Sequence, residues 1–172
     1  MKKYIILFRG INVGGKNLLP MKELVPLLEN SLFKDVSSYI QSGNLVLKSA
    51  SEPAEAIARI VLDSFGFSPD IFTLNAAEFA TALTHNPYQA FEGKFVHFYF
   101  CHHSIELNQE KMAKYLAESE EYLLKGKVFY LHAPDGIGRS KLVANIEACL
   151  GQPATGRNLN TANKISTMLV KT

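Results

Sequence analysis

Two tight-turn signals, one in each half of the chain, place the strongest constraint on the fold. In the first half, the apolar-rich runs 36–41 and 45–48 flank Ser42-Gly43-Asn44. In the second half, runs 122–124 and 128–131 flank Lys125-Gly126. Turns this short join antiparallel strands, because a parallel pair needs a long crossover. A doubly wound parallel sheet is therefore the less favoured alternative.

The surrounding elements place each hairpin in a repeated order of strands and helices. Strands at 3–8 and 69–74 and helices after Pro20 and Pro53 surround the first hairpin. The second half repeats this order, with a strand at 95–101 and helices that begin at Asn108, span 139–150 and begin at about Thr161. The order predicts an α+β fold built as a tandem duplication of two ferredoxin-like (βαββαβ) units. In the second unit, the last strand is expected to be replaced by a loop and helix.

We predict a subdomain boundary after residue 74. Residues 1–74 then form the first ferredoxin-like subdomain, and residues 75–172 form a connector helix plus the second, packed as one compact unit. The connector begins where Asn75 and Glu78 have the spacing of a capping box.

Composition limits the class of protein. No apolar run approaches the roughly 20 residues that span a bilayer, and Arg9 interrupts the apolar run at 5–8 before it could serve as a signal peptide. We therefore expect a cytoplasmic protein without a membrane partner. Cys101 and Cys149 lie far apart, which fits reduced thiols better than a disulfide framework. No cofactor is evident.

The cations are unevenly distributed along a chain whose net charge is only +2. Residues 1–22 hold five cations and no acid, and residues 122–172 hold seven cations against Asp135 and Glu147. If these two segments meet in space, they form one positive face. The alternative is that the charges are simply solvated.

A glycine-rich, cationic loop follows the first strand. Residues 9–17 include Arg9, Lys16 and three glycines, and backbone N–H groups can approach an anion where no Cβ intervenes. The spacing Gly-x-x-x-x-Gly-Lys matches a P-loop, but Asn17 stands where the hydroxyl residue would hold Mg²⁺. The loop therefore predicts a simpler phosphate or carboxylate cradle, with a purely structural glycine turn as the alternative.

Two further polar loops combine cations with glycine. Residues 134–141 place Arg139 and Lys141 at the start of a helix, where an anion would offset their charge. Residues 155–161 offer Arg157 and Asn158 for planar contacts to phosphate or carboxylate, and Asn160 as a helix N-cap. In the simpler interpretation, these polar residues only cap turns and helices.

No catalytic group is recognisable, so the sequence leaves open whether the protein is an enzyme. His97 and Cys101 are too far apart along a strand to share a metal ion, and we predict no metal site. Glu118, Glu120 and Glu121 have the character of a solvated turn rather than paired catalytic carboxylates. The strand aromatics lack an RNA-binding signature and are expected to lie in the core.

Four loop motifs make the chain resemble the bacterial "domain of unknown function 1697" family over nearly its full length. The motifs occupy residues 7–17, 39–44, 135–142 and 154–161. The resemblance implies a duplicated ferredoxin-like fold and no established activity. Leu159 departs from the family, which often has an aromatic there, and Pro26 lies where helix formers are usual. Because the shared motifs fall in loops, the resemblance favours a surface site.

Three functions follow from these observations. The first is binding of a small phosphate- or carboxylate-bearing ligand or nucleotide where the three loops converge at the junction of the two units. Its candidate residues are Arg9, Gly10, Asn12, Gly14, Gly15, Lys16, Asn17, Arg139, Lys141, Arg157 and Asn158. The second is nucleic-acid binding by the same positive face. The third is a structural or protein-interaction module without a ligand, and the oligomeric state is left open.

Overall fold

The computed structural model describes all 172 residues, Met1–Thr172, as a mixed α+β protein. It contains two four-stranded antiparallel sheets and seven α-helices. The pattern of contacts divides the chain into two units, Met1–Thr81 with Lys164–Thr172, and Ala82–Asn163. No helix is both long and apolar enough to cross a membrane.

The first unit contains a sheet in the order β2-β3-β1-β4 with two helices. Its elements are β1 (Lys2–Arg9), α1 (Met21–Glu29), β2 (Lys34–Tyr39), β3 (Asn44–Ser49), α2 (Ala54–Phe65) and β4 (Asp70–Asn75). Both helices are amphipathic, and their apolar stripes cover one face of the sheet. This core contains Leu24, Leu28, Ile57 and Val61 from the helices and Ile6, Phe8, Leu45 and Leu47 from the strands. Pro26 lies inside α1, which is nine residues long.

The second unit contains a sheet in the order β6-β7-β5-β8. Its elements are β5 (Val96–Cys101), α4 (Gln109–Tyr115), β6 (Glu121–Lys125), β7 (Val128–His132), α5 (Lys141–Ala144), α6 (Ile146–Leu150) and β8 (Ala154–Asn158). Two more helices, α3 (Ala76–Thr84) and α7 (Leu159–Lys171), cross the divisions between the units. The core on one face of this sheet includes Tyr99, Phe129, Leu131, Leu142 and Cys149.

The prediction that the second unit lacks its last strand is wrong. Residues 154–158 form β8, which pairs with β5 so that Phe98 lies opposite Arg157. The segment is hard to recognise because it has no run of β-branched or aromatic residues. Packing explains the glycine at position 156, because a Cβ there would lie 2.7 Å from Cε1 of Tyr99. Pairing with a buried central strand thus overrides a weak local preference.

The predicted helix over 139–150 is divided into α5 and α6. Asn145 interrupts it with φ −119° and ψ 21°, outside the helical region. Its side-chain Nδ2 donates to the carbonyl of Lys141 at 2.8 Å. An asparagine that satisfies a backbone carbonyl with its own side chain offers an alternative to the helical ladder.

The predicted capping box at the start of α3 is confirmed. The Glu78 N–H donates to Oδ1 of Asn75 at 2.8 Å, and the Asn75 N–H donates to Oε1 of Glu78 at 2.9 Å. These reciprocal bonds satisfy two of the donors that a helix start otherwise leaves unpaired.

The contacts place the division between the units after Thr81, whereas the sequence suggested residue 74. They also assign Lys164–Thr172 to the first unit. Two contacts support this assignment: Nζ of Lys3 donates to the carbonyl of Leu169 at 3.1 Å, and Nζ of Lys164 lies 5.9 Å from the centre of the Tyr39 ring.

Candidate functional site

Residues 10–19, here called the glycine loop, form a tight hairpin between β1 and α1. The Lys16 N–H donates to the carbonyl of Val13 at 3.1 Å, and Gly14 and Gly15 between them have φ of 59° and 72°. Two successive positive φ values define a type I′ turn, whose tip favours glycine. Residues 13–18 at this tip are exposed.

The side chain of Asn12 holds the base of the glycine loop. Its Oδ1 accepts from the Leu19 N–H at 2.8 Å, and its Nδ2 donates to the carbonyls of Leu19 at 3.1 Å and Gln41 at 2.8 Å. On the opposite side, Nδ2 of Asn17 donates to the carbonyl of Gly10 at 3.2 Å. The side-chain amides of both candidate asparagines therefore hydrogen-bond within the loop or to its neighbour.

The tip of the glycine loop is a closed turn. Here Gly14 and Gly15 are both left-handed, and the turn closes on itself through the Val13–Lys16 bridge. Lys16 is exposed at the tip.

Arg9 lies at the end of β1, directly opposite Asp70 at the start of β4. Its Nη1 is 3.6 Å from Oδ2 of Asp70, and both side chains are about one-third exposed. A partly exposed pair of this kind contributes little to stability, but it places a carboxylate beside a cation that the sequence assigned to anion binding.

The segment that follows β2 packs against the glycine loop with a strained backbone. Ile40 has φ 52°, which is unfavourable for a β-branched residue. Gly43 has φ 89°, and a Cβ on it would lie 2.5 Å from Cδ1 of Ile11 and 3.0 Å from Cβ of Phe8. Backbone strain of this kind concentrates at functional sites. The sequence marked this segment as a tight turn and as one of the family motifs, but not as a candidate site.

A groove with a volume of about 430 Å³ opens beside the strained segment. Its lining is formed by Met21, Lys22, Val25, Pro26, Ser38, Ile40 and Gln41. Asn12 connects the groove to the glycine loop through its bond to Gln41. We call the combined region the loop-and-groove surface and define it by Val13, Lys16, Leu18, Lys22 and Ile40.

Apolar side chains stand out on the loop-and-groove surface. Val13 is 67% exposed, Leu18 61% and Ile40 49%. The three side chains lie on two loops that the Asn12 side chain connects, and exposed apolar side chains that form a patch are typical of interaction sites. Sequence reasoning missed them because it interpreted the glycine loop through its cations and glycines.

In the second unit, Arg139 and Lys141 are exposed at the start of α5. This helix has only four residues, and Ser140 caps it by accepting from the Val143 N–H at 3.2 Å. Ser140 also donates to Oε2 of Glu120 at 2.6 Å, while Oε1 of Glu120 accepts from the Ala117 N–H at 2.9 Å. The expectation that Glu120 belongs to a solvated turn is therefore wrong, since its carboxylate is buried and accepts both bonds.

Arg157 and Asn158 lie in β8 rather than in a loop. Arg157 is 8% exposed, and its Nη1 donates to Oγ1 of Thr155 at 2.6 Å and to the carbonyl of Gly156 at 2.8 Å. Burial lowers the pKa of Arg157 to about 10, which leaves it charged at neutral pH. Oδ1 of Asn158 accepts from the Thr161 N–H at 2.9 Å, so Asn158 caps α7 in place of the predicted Asn160.

The candidate residues thus fall into three groups by position. Arg9, Gly10, Asn12, Gly14, Gly15, Lys16 and Asn17 share the end of β1 and the glycine loop, Arg139 and Lys141 flank Ser140, and Arg157 and Asn158 end β8. No group of three or more His, Cys, Asp or Glu side chains is arranged to hold a metal ion. Cys101 and Cys149 are both free and buried.

Comparisons with known proteins identify a family and a fold. The family model described as "Protein of unknown function (DUF1697)" matches residues 1–130. Among solved structures, the conserved bacterial protein SP0830 from Streptococcus pneumoniae superimposes with a TM-score of 0.68 at 24% sequence identity. That alignment covers 98% of each chain, so the two proteins share their fold over nearly the whole length. No curated protein matches this sequence.

Proposed function

The chain belongs to the DUF1697 family of proteins of unknown function, and from its geometry we propose that it is a protein-interaction module that docks a partner on the loop-and-groove surface. The observation that carries this proposal is the exposure of Val13, Leu18 and Ile40 on two loops that Asn12 ties together. A loop held in place before binding loses less conformational entropy when a partner docks.

The polar groups first assigned to anion binding favour the interaction role over the ligand role. The side-chain amides of Asn12 and Asn17 donate hydrogen bonds to backbone carbonyls, and Arg9 lies beside the carboxylate of Asp70. Arg157 is buried, and its guanidinium donates to a hydroxyl and a carbonyl. A small anion would have to compete with these bonds.

The charges of the loop-and-groove surface indicate the chemistry of the partner. Lys16 is exposed at the tip of the glycine loop, and Lys22 lines the groove. Residues 1–22 carry no acidic side chain. Complementary charge directs association and selects partners, so the segment that fits combines apolar side chains with carboxylates.

A titration monitored by NMR tests the proposal. We expect a synthetic peptide that alternates leucine and glutamate to shift the backbone amides of residues 13–18, 22 and 40–41. Replacing Val13 and Leu18 with serine should abolish the shifts, whereas Leu32→Ser should not. Leu32 is a matched control because it is as exposed as Val13, at 67%, but lies outside the surface.

Two other probes decide between the remaining functions. Inorganic phosphate that shifts the amides of Gly14, Gly15 and Lys16 more than the peptide does would overturn the proposal in favour of anion binding. A single-stranded oligonucleotide whose binding grows with length and disappears with added salt would overturn it in favour of nucleic-acid binding. A peptide that shifts no amide of the loop-and-groove surface would also contradict it.

We further propose that the two units are duplicated ferredoxin-like folds. Support comes from the element orders, βαββαβ in the first unit and βαββααβ in the second, which differ only where α5 and α6 replace a single helix, and from the equivalent sheet orders β2-β3-β1-β4 and β6-β7-β5-β8. The free, buried thiols of Cys101 and Cys149 support a reducing compartment such as the cytoplasm.

A further inference from the structure

The outer edge of β6 carries a second interaction feature, separate from the loop-and-groove surface. β6 is the first strand of the sheet order β6-β7-β5-β8, so only one of its sides is paired. A free strand edge presents unpaired N–H and C=O groups that can bind another strand. We propose that β6 pairs antiparallel with β6 of a second copy of this chain.

The hydrogen-bonding phase of the hairpin determines which groups of β6 are available. Lys125 lies opposite Val128 across a two-residue turn, which makes them a hydrogen-bonded pair. By alternation, Leu123 and Glu121 also bond to β7. The N–H and C=O groups of Tyr122 and Leu124 therefore point away from the sheet.

Contacts on the other side of β7 support this phase. The Cys101 N–H donates to the carbonyl of Lys127 at 2.9 Å, and the Ala133 N–H donates to the carbonyl of Phe95 at 2.9 Å. The odd-numbered residues of β7 therefore bond to β5, and its even-numbered residues bond to β6.

A two-fold axis at Leu123 satisfies all of the outward groups. Tyr122 of each copy then lies opposite Leu124 of the other, and their N–H and C=O groups form four intermolecular hydrogen bonds. Leu123 meets Leu123 of the second copy as a close, non-hydrogen-bonded pair. The same patch thus serves both copies, as a two-fold interface requires.

The charges of β6 match in this same register. Its sequence runs Glu-Tyr-Leu-Leu-Lys, so Glu121 of each copy lies opposite Lys125 of the other. Opposite charges directly across a strand pair are favourable. The Glu121 side chain is 63% exposed, which leaves it accessible to the second copy. In this register, each charged residue of β6 lies opposite a residue of opposite charge in the second copy.

The face of β6 that carries Tyr122 is already held in place. The Tyr122 ring stacks on Phe129 of β7 with centroids 5.3 Å apart and an interplanar angle of 13°. An ordered edge strand needs little rearrangement to accept a partner. Because five residues bury little area, the expected dimer is weak and depends on concentration.

Sedimentation equilibrium over a wide range of protein concentration tests the proposal. The full chain should show a concentration-dependent increase in mass that weakens at high salt. Glu121→Lys and Lys125→Glu should each remove it, because each variant opposes like charges. The double variant that exchanges both charges should dimerise again, and the two single variants should associate with each other when mixed. A constant monomer mass, or single variants that dimerise as the parent does, would overturn the proposal.

Three more variants separate pairing through the edge from other contacts. Leu124→Pro removes an outward N–H that β7 does not use, so it should abolish the dimer, whereas Leu124→Ala, which loses the same packing against the core but keeps that N–H, should retain it. Lys127 lies in the adjacent turn and does not lie opposite a carboxylate of the second copy in this register. Lys127→Glu should therefore leave the dimer unchanged. A dimer that persists in Leu124→Pro would contradict strand pairing.

Discussion

Asn12 and Gln41 join the two loops of the loop-and-groove surface: Nδ2 of Asn12 donates to the Gln41 carbonyl at 2.8 Å. Asn12 makes this bond from a left-handed backbone, with φ 54°. Asparagine is one of the few residues that tolerates this conformation and also bonds to nearby backbone. The surface therefore depends on an amide that the sequence suggested was free for a ligand.

Replacing Asn12 with alanine should destabilise the protein by about 1–3 kcal/mol, because Leu19 and Gln41 lose partners and a left-handed alanine is strained. Urea unfolding followed by circular dichroism measures the change. Asn12→Gly relieves the backbone strain but not the lost bonds, so its cost should be smaller. Asn17→Ala removes one bond at the exposed tip and should cost less than Asn12→Ala. Equal stability of the parent and Asn12→Ala would contradict this account.

Gly43→Ala should cost more than Gly15→Ala, although both glycines have positive φ. The added methyl at Gly43 would lie 2.5 Å from Cδ1 of Ile11, whereas nothing lies within 4 Å of the equivalent position at Gly15. We expect about 1 kcal/mol for backbone strain alone at Gly15 and a larger loss at Gly43. Melting temperatures of the two variants provide the comparison, and a smaller shift for Gly43→Ala would refute the packing argument.

Ser140 and Glu120 should be energetically coupled. Ser140→Ala removes both the cap on Val143 and the donor to Glu120, so we expect a loss of about 1–2 kcal/mol. Glu120→Gln retains a hydrogen-bond acceptor and should therefore destabilise the protein less than Glu120→Ala. A double-mutant cycle built from Ser140→Ala and Glu120→Ala measures the coupling. Strictly additive losses would show that the two side chains act independently.

The free energy of unfolding should fall as pH rises above 9 because of Cys101. Burial, aided by the charge of Glu147, raises the pKa of the Cys101 thiol from 9.0 to about 11. The unfolded thiol thus loses its proton first, so the stabilising contribution is complete below pH 9 and is lost as pH rises through about 11. Each unit of pKa difference corresponds to about 1.4 kcal/mol.

Urea unfolding midpoints of the parent and Cys101→Ala, measured below and above pH 9, isolate this contribution from the buried tyrosines. The parent should lose more stability than the variant over that interval. Parallel curves would rule out the thiol as the source. A thiol reagent supplies an independent check: both cysteines should react slowly in the folded protein and rapidly in urea.

The sequence predicted correctly the elements that are stabilised by contacts between residues close together in the chain. The Asn75–Glu78 capping box and the hairpin predicted from Lys125-Gly126 involve neighbours in the chain, and both form, with Gly126 and Lys127 as the turn residues. β8 escaped prediction because Thr155, Gly156 and Arg157 become a strand only by pairing with β5. The break at Asn145 depends on a side chain that competes with the helical ladder.

The candidate site was harder to predict, because its contacts join distant parts of the chain. Composition marked Arg9 as a cation, but its neighbour Asp70 comes from another strand. Asn12 was recognised as polar, but its partner Gln41 lies in a different loop. Val13 and Leu18 were overlooked because exposure depends on what packs nearby.

The return of Lys164–Thr172 to the first unit has a consequence for how the protein is made. Lys3 leaves the ribosome before residues 82–163, and the Leu169 carbonyl to which it donates emerges after all of them. Domains generally fold as units during synthesis. The second unit can therefore complete its sheet while the first still lacks a segment, so the unit whose synthesis begins earlier is completed later.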